Sequence, residues 1–286
     1  MSDAATGPSP TDLNVAGDGL SLSGEQSGEG VPVVLLHGLT ATRRYVVMGS
    51  RSLQRSGHRV IAYDARGHGR STPAPGRAYG YEHLSADLLS VLDAGAVERA
   101  VLAGASMGGQ TAVRFALEHP ERVAALAIIT PAYDPSAPIT NTTMAHWDRL
   151  AQGLRSGGVE GFVQAYDLAA VPETWRATVE TVLRQRLAAH EYPQAVADAL
   201  EVVPRSRPFE EMGELAAIRA PTVVVASRDE ADPGHPLAVG ESYARAIAGA
   251  ELVVEEDGGS IPRSPIAWQG GQLSHVIARL AARADT

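Results

Sequence analysis

The sequence predicts an α/β fold built on a mostly parallel sheet, and three observations predict it. Short runs rich in Val, Ile or Leu recur at Val31–Leu36, Arg59–Tyr63, Ala100–Ala103, Val123–Ile129, Thr222–Ala226 and Leu252–Val254. They lack polar alternation, which marks strands buried on both faces. Helical patterns separate them, at about 42–56, 82–94, 107–118, 236–248 and 265–283. Strand and helix in alternation put helices on both faces of a parallel sheet. The third observation is a Gly-rich turn between the run at Ala100–Ala103 and the helix that follows it.

The chain has 286 residues, 44% of them apolar and 20% charged, enough to bury a core in one large α/β domain. Its net charge of −9 argues against a nucleic acid or an anionic membrane surface as partner. The absence of Cys excludes a disulfide scaffold, a thiolate metal site and a Cys nucleophile. All 24 basic residues are Arg, which removes Schiff-base and Ser-Lys chemistry. The N-terminus has no basic, apolar leader. The longest apolar run, Val123–Ile129, is too short to span a bilayer. The expected location is the cytoplasm, and the expected partner is a small molecule.

Residues 1–12 are small and polar and are expected to be flexible. The stretch 132–213 breaks the rhythm, being helical in pattern and carrying Tyr133, Trp147, Phe162, Tyr166 and Trp175. It reads as a helical cap inserted into a core of 13–131 and 214–286. Ligands of open α/β sheets bind at the carboxyl ends of the strands, where such a cap would sit. Its aromatics suit either an apolar ligand or the cap's own packing.

Gly104-Ala105-Ser106-Met107-Gly108-Gly109 carries the strongest chemistry. Glycines two before and two after the serine let a strand turn sharply into a helix. The hydroxyl then stands at a helix N-terminus, where free N–H groups favour negative charge. His37-Gly38-Leu39-Thr40 follows the first buried strand as a second βα turn. In this architecture one oxyanion-hole N–H comes from that loop and the other from the residue after the nucleophile, here Leu39 and Met107. His37 itself is expected to brace its loop. A third loop, Asp64-Ala65-Arg66-Gly67-His68-Gly69-Arg70-Ser71, suggests an Asp64–Arg66 pair and no metal site.

On these three motifs, in this order and spacing, the sequence resembles the α/β-hydrolase fold superfamily. The similarity is to its capped branch of esterases, lactonases and cofactor-free haloperoxidase-like enzymes, over about 13–131 and 214–283. The resemblance implies no cofactor and a chain order of Ser, acid, His. Ser106 is then the nucleophile. The acid follows the run Thr222–Ala226, with Asp229 the first choice and Glu230 and Asp232 open. The His belongs after the last strand, yet Glu255-Glu256-Asp257-Gly258-Gly259 leads into Ser260. A serine cannot take the nucleophile's proton. Glu255 or Glu256 could act only if burial raised its pKa. Of the nine His, His58, His83 and His119 read as surface residues, and His146 or His190 could reach down from the cap. His235, six residues after Asp229, is the stand-in base. The expected activity is hydrolysis of a small, fairly apolar carboxylic ester or lactone by an atypical triad. The alternative is a weakened relative that binds a small ligand or runs a non-hydrolytic reaction.

Overall fold

Strands form where the apolar runs lie, and a hairpin precedes them. In a computed structural model, residues 10–17, 19–228, 232, 234–257 and 263–284 are described. The strands are β1 (Thr11–Gly17), β2 (Leu20–Ser27), β3 (Val31–Leu36), β4 (His58–Tyr63), β5 (Ala100–Ala105), β6 (Val123–Ile129), β7 (Thr222–Val225) and β8 (Glu251–Val253). They make one sheet of eight in the order β1-β2-β4-β3-β5-β6-β7-β8. From β4 across to β8 every pairing is parallel; β1 with β2 and β2 with β4 are antiparallel.

Side chains alternate across the sheet with period two. Val34 and Leu36 enter one buried layer with Leu102, Leu126 and Ile128. Val33 and Leu35 enter the opposite layer with Val101, Ala127 and Ile129. Both faces of the central strands are covered, so β3, β5 and β6 are continuously apolar.

The helices are α1 (Ser52–Arg55), α2 (Tyr81–Ala94), α3 (Met107–Glu118), α4 (Asn141–Ala165), α5 (Glu173–Leu187), α6 (Pro193–Val202), α7 (Leu237–Ala246) and α8 (Gly270–Ala281). α4, α5 and α6 lie between β6 and β7 and share a buried cluster that includes Leu150, Phe162, Leu187 and Leu200. Trp147 and Tyr166 pack against it. Trp175 instead meets Trp268 edge to face, with ring centroids 5.7 Å apart.

Four expectations need correction. The hairpin β1–β2 has no continuous apolar run, because an edge hairpin buries only alternate residues such as Leu13 and Leu22. Its first strand also begins at Thr11, inside the stretch expected to be flexible. The helix expected over 42–56 is reduced to a 3₁₀ turn at Arg43–Tyr45 and the single turn α1. Between them Met48 and Gly49 take positive φ, which breaks a right-handed helix. The third and fourth corrections, of the 64–71 loop and of His58, are described below.

Candidate active site

Ser106 stands between β5 and α3 with φ 50° and ψ −113°, a conformation L-residues rarely adopt. A Cβ on Gly104 would lie 2.2 Å from the Gly108 carbonyl oxygen, and one on Gly108 would lie 2.2 Å from that of Leu36. The two glycines are therefore required by close backbone approach. Ser106 N–H donates to the Ile129 carbonyl at 2.9 Å, pinning the turn to β6. The side chain is partly exposed.

The loop after β7 supplies both partners of that hydroxyl. His235 Nε2 lies 2.9 Å from Ser106 Oγ, and His235 Nδ1 lies 2.9 Å from Asp232 Oδ2. A turn closed by His235 N–H on the Asp232 carbonyl holds the two side chains three residues apart. The carboxylate must accept from Nδ1–H, which leaves the Nε2 lone pair facing the serine O–H. Burial pushes the Asp232 carboxyl up, but the His235 charge and hydrogen bond and the Arg186 charge outweigh it. Its pKa is lowered from the ordinary value, so it is an anion at neutral pH.

Asp229, the first choice for the acid, lies outside the described residues, as do Glu230 and Ser260. The Asp232–His235 spacing in Asp232-Pro233-Gly234-His235 was the signal available in the sequence. Glu255 is buried and accepts from Arg228 N–H at 2.6 Å, bracing the loop after β7. Glu256 pairs with Arg263 on the surface.

The His37 loop lies against the elbow: a Cβ on Gly38 would sit 3.3 Å from the Ala105 carbonyl oxygen. Met107 opens α3, and the first N–H groups of a helix have no carbonyl of their own helix to bond. The Leu39 side chain packs against α4–α6 and that of Met107 against Ala195 and Ala199 of α6. The helices between β6 and β7 thus seat directly on the two turns.

His37, His68 and His190 are buried in a row beneath this loop, with successive ring centroids 5.2 and 5.5 Å apart. His37 accepts from Ala65 N–H at Nε2 and donates from Nδ1 to the Gly38 carbonyl. His190 accepts from Gly69 N–H at Nδ1 and donates from Nε2 to the Thr40 carbonyl. His68 donates from Nδ1 to the Arg66 carbonyl, and its buried Nε2 has no partner. All three are neutral braces. His58 is also buried, its Nδ1 donating to the Leu53 carbonyl at 3.2 Å, so the surface reading of that residue is corrected.

In the 64–71 loop, Asp64 and Arg66 do not pair with each other. Asp64 binds the Arg43 guanidinium and accepts from the Arg43 and Arg70 N–H groups. Arg66 forks onto Asp87 with two bonds of 2.7 Å. Each charge finds the partner that topology brings from another element, not its near neighbour in sequence. No group of three or more metal-ligating side chains occurs among the described residues.

The neutral histidines imply a pH dependence of stability. Burial, the largest cause in each case, lowers all three, and His190 is pushed down to about 4. Asp64 opposes the shift in His37 and His190, and Arg186 adds to it in all three. An unfolded imidazole takes its proton near pH 6.5, so between there and about 4 the unfolded chain binds more protons. Stability is therefore lost as pH falls through that window. Scanning calorimetry is expected to show Tm dropping steadily from pH 6.5 to 4, with a shallower slope in His190→Gln. A flat Tm would overturn the neutral assignments.

An eight-stranded, mostly parallel sheet with a strained serine turn at the strand ends defines an α/β hydrolase. The family profile for the alpha/beta hydrolase fold matches residues 31–262, and the chain belongs to that family. Among its relatives is a Variovorax paradoxus protein assigned as carbamate hydrolase RutD, 32% identical over 204 residues, 71% of this chain and 75% of the relative. A thermophilic esterase from Thermogutta terrifontis superposes with a TM-score of 0.77 at 27% identity, covering 98% of this chain and 100% of the other. The enol-lactonase of Burkholderia xenovorans superposes with a TM-score of 0.69 at 26% identity, over 85% of this chain and 91% of the other. Carbamate hydrolase, esterase and enol-lactonase are all hydrolases, and hydrolase activity is what these relatives share. Among the described residues no helix is long and apolar enough to cross a membrane.

Proposed function

We propose that this protein is a serine hydrolase of small carboxylic esters or lactones, with Ser106 as nucleophile, His235 as base and Asp232 as the orienting acid. The observation that carries the reading is the unbroken chain from Ser106 Oγ to His235 Nε2 and from His235 Nδ1 to Asp232 Oδ2, each 2.9 Å. The esterase and enol-lactonase among its relatives support the substrate class.

The steps follow from the geometry. His235 Nε2 takes the hydroxyl proton as Ser106 Oγ attacks the substrate's carbonyl carbon. Negative charge moves to the carbonyl oxygen, which the Leu39 and Met107 N–H groups would receive. Asp232 accepts from Nδ1–H throughout and stabilises the imidazolium. The imidazolium gives its proton to the departing alkoxide, and water then cleaves the acyl-enzyme with the same imidazole as base.

The competing reading, a ligand-binding protein without turnover, rested on Ser260 at the position where relatives of this fold keep an imidazole. His235 beside Ser106 supplies the base that reading lacks. A fluorophosphonate probe separates the two. The expected result is rapid labelling, with the added mass on the peptide that contains Ser106. An unlabelled protein would sink the hydrolase reading.

A further inference from the structure

Successive carbonyls of the turn after β3 are each held by a donor. Gly38 O accepts from His37 Nδ1 at 2.8 Å and from Ala41 N–H at 3.0 Å. Leu39 O accepts from a terminal nitrogen of Arg186 at 3.0 Å, and the same nitrogen donates to Thr40 Oγ1 at 3.0 Å. Thr40 O accepts from His190 Nε2 at 3.1 Å. The Gly38 anchors belong to the turn itself. The other two come from across the molecule, from the last turn of α5 and from the segment joining α5 to α6. The Arg186 guanidinium carbon also lies 6.0 Å from the centre of the Tyr45 ring, a few residues further along the same stretch of chain. Among the described residues, the hydrogen bonds of Arg186 all go to this turn.

A peptide unit is planar and trans, so its N–H points opposite to its C=O. Fixing Gly38 O therefore aims the Leu39 N–H, and fixing Leu39 O and Thr40 O holds the two peptide units that follow. The turn needs such holding. Thr40 has φ 69°, a region that a β-branched residue enters only under strain and keeps only where its surroundings impose it. The turn also lies against the nucleophile, since a Cβ on Gly38 would sit 3.4 Å from Ser106 Cβ.

We propose that Arg186 is a positioning residue for the oxyanion donor: from α5 it holds the strained turn in the arrangement that presents the Leu39 N–H to the developing charge. The inference rests on the reading of Ser106 as nucleophile and Leu39 as oxyanion donor, and deepens it by naming what sets that donor's direction. Without the guanidinium, Thr40 is released to relax its φ, and the Leu39 peptide turns with it. The ground-state ester carries no oxyanion, so the loss falls on the transition state and spares substrate binding.

Arg186→Met keeps the apolar stem and removes the donors. For 4-nitrophenyl butyrate, kcat per site titrated to completion with the fluorophosphonate is expected to fall by about 10–100-fold, with KM changed by less than about 3-fold. A trifluoromethyl ketone, to whose carbonyl carbon Ser106 Oγ adds to give a charged hemiketal, should bind more weakly by about the factor lost in kcat/KM. Arg186→Lys should recover part of kcat, because one ammonium can donate to both oxygens. Arg77→Met is the control. It removes the ion pairs of Arg77 with Asp198 and Glu201 of α6 without touching the turn, and should leave kcat within about 2-fold. A loss in KM alone, an unchanged kcat per titrated site beside a lowered Tm, or an equal loss in Arg77→Met would each overturn the proposal and leave Arg186 a structural contact. A protein with no Ser106-dependent turnover fails the hydrolase reading and this role with it. A Ser106-dependent enzyme indifferent to Arg186→Met fails this role alone.

Discussion

Alanine at Ser106 is expected to lower kcat for 4-nitrophenyl butyrate by about 10⁴–10⁶-fold, and alanine at His235 by nearly as much. Removing Oγ leaves nothing to attack the carbonyl. Removing the imidazole leaves a hydroxyl whose proton has no acceptor, because Asp232 contacts His235 and not the serine. The two residues act as one unit, so the double variant should be no slower than the worse single one. Asp232→Ala should cost less, since the imidazole keeps its place on the serine and loses only its orienting partner. Residual rate above buffer, about 10³–10⁴-fold, would come from the Leu39 and Met107 amides and from binding. Steady-state kinetics on purified variants checks each value. A His235→Ala enzyme keeping more than about a tenth of the activity would mean that another group takes the proton.

Breaking the Arg66–Asp87 pair is expected to be the most damaging single change to stability away from the reaction centre. Both side chains are almost wholly buried, at 10% and 7% exposure, and Arg66 further donates to the Ala78 and His83 carbonyls. Burial raises the Asp87 carboxyl and the Arg66 hydrogen bonds pull it back, so the aspartate depends on its partner. Asp87→Ala strands the guanidinium and should cost about 3–5 kcal/mol. For a chain of this size that is a fall in Tm of roughly 10 °C. Replacing both members by apolar residues, Arg66→Met with Asp87→Leu, should recover most of the loss, because neither charge is then left unpaired. Urea denaturation of the two variants tests this. A double variant as unstable as Asp87→Ala would mean that shape, not charge, is what the pair supplies.

The parallel strands were legible because burial on both faces writes itself as an unbroken apolar run, and β6 begins and ends where its run does. The serine turn was legible because close backbone approach at Gly104 and Gly108 admits only glycine. The hairpin β1–β2 was not, since an edge hairpin buries one residue in two and mixes Ser, Gln and Glu among its apolar positions. The partners of Asp64 and Arg66 were misjudged for a related reason. Loop charges choose partners by distance in space, and the nearest ones came from Arg43 and α2.

The amino-acid order alone determined the class of fold and the glycine-flanked serine turn, because each depends on local sterics and on hydrophobic period. Which imidazole faces the serine was decided only by the tertiary structure. Of the nine histidines, position after the acidic loop nominated His235, but only the folded chain brings its Nε2 to 2.9 Å from Ser106 Oγ. The sheet sets the β7 end beyond the neighbouring β6, and the turn from Asp232 to His235 then carries the ring back to Ser106 Oγ. The same folding buries His37, His68 and His190 as neutral braces, so identical side chains acquire different chemistry from where the backbone leaves them.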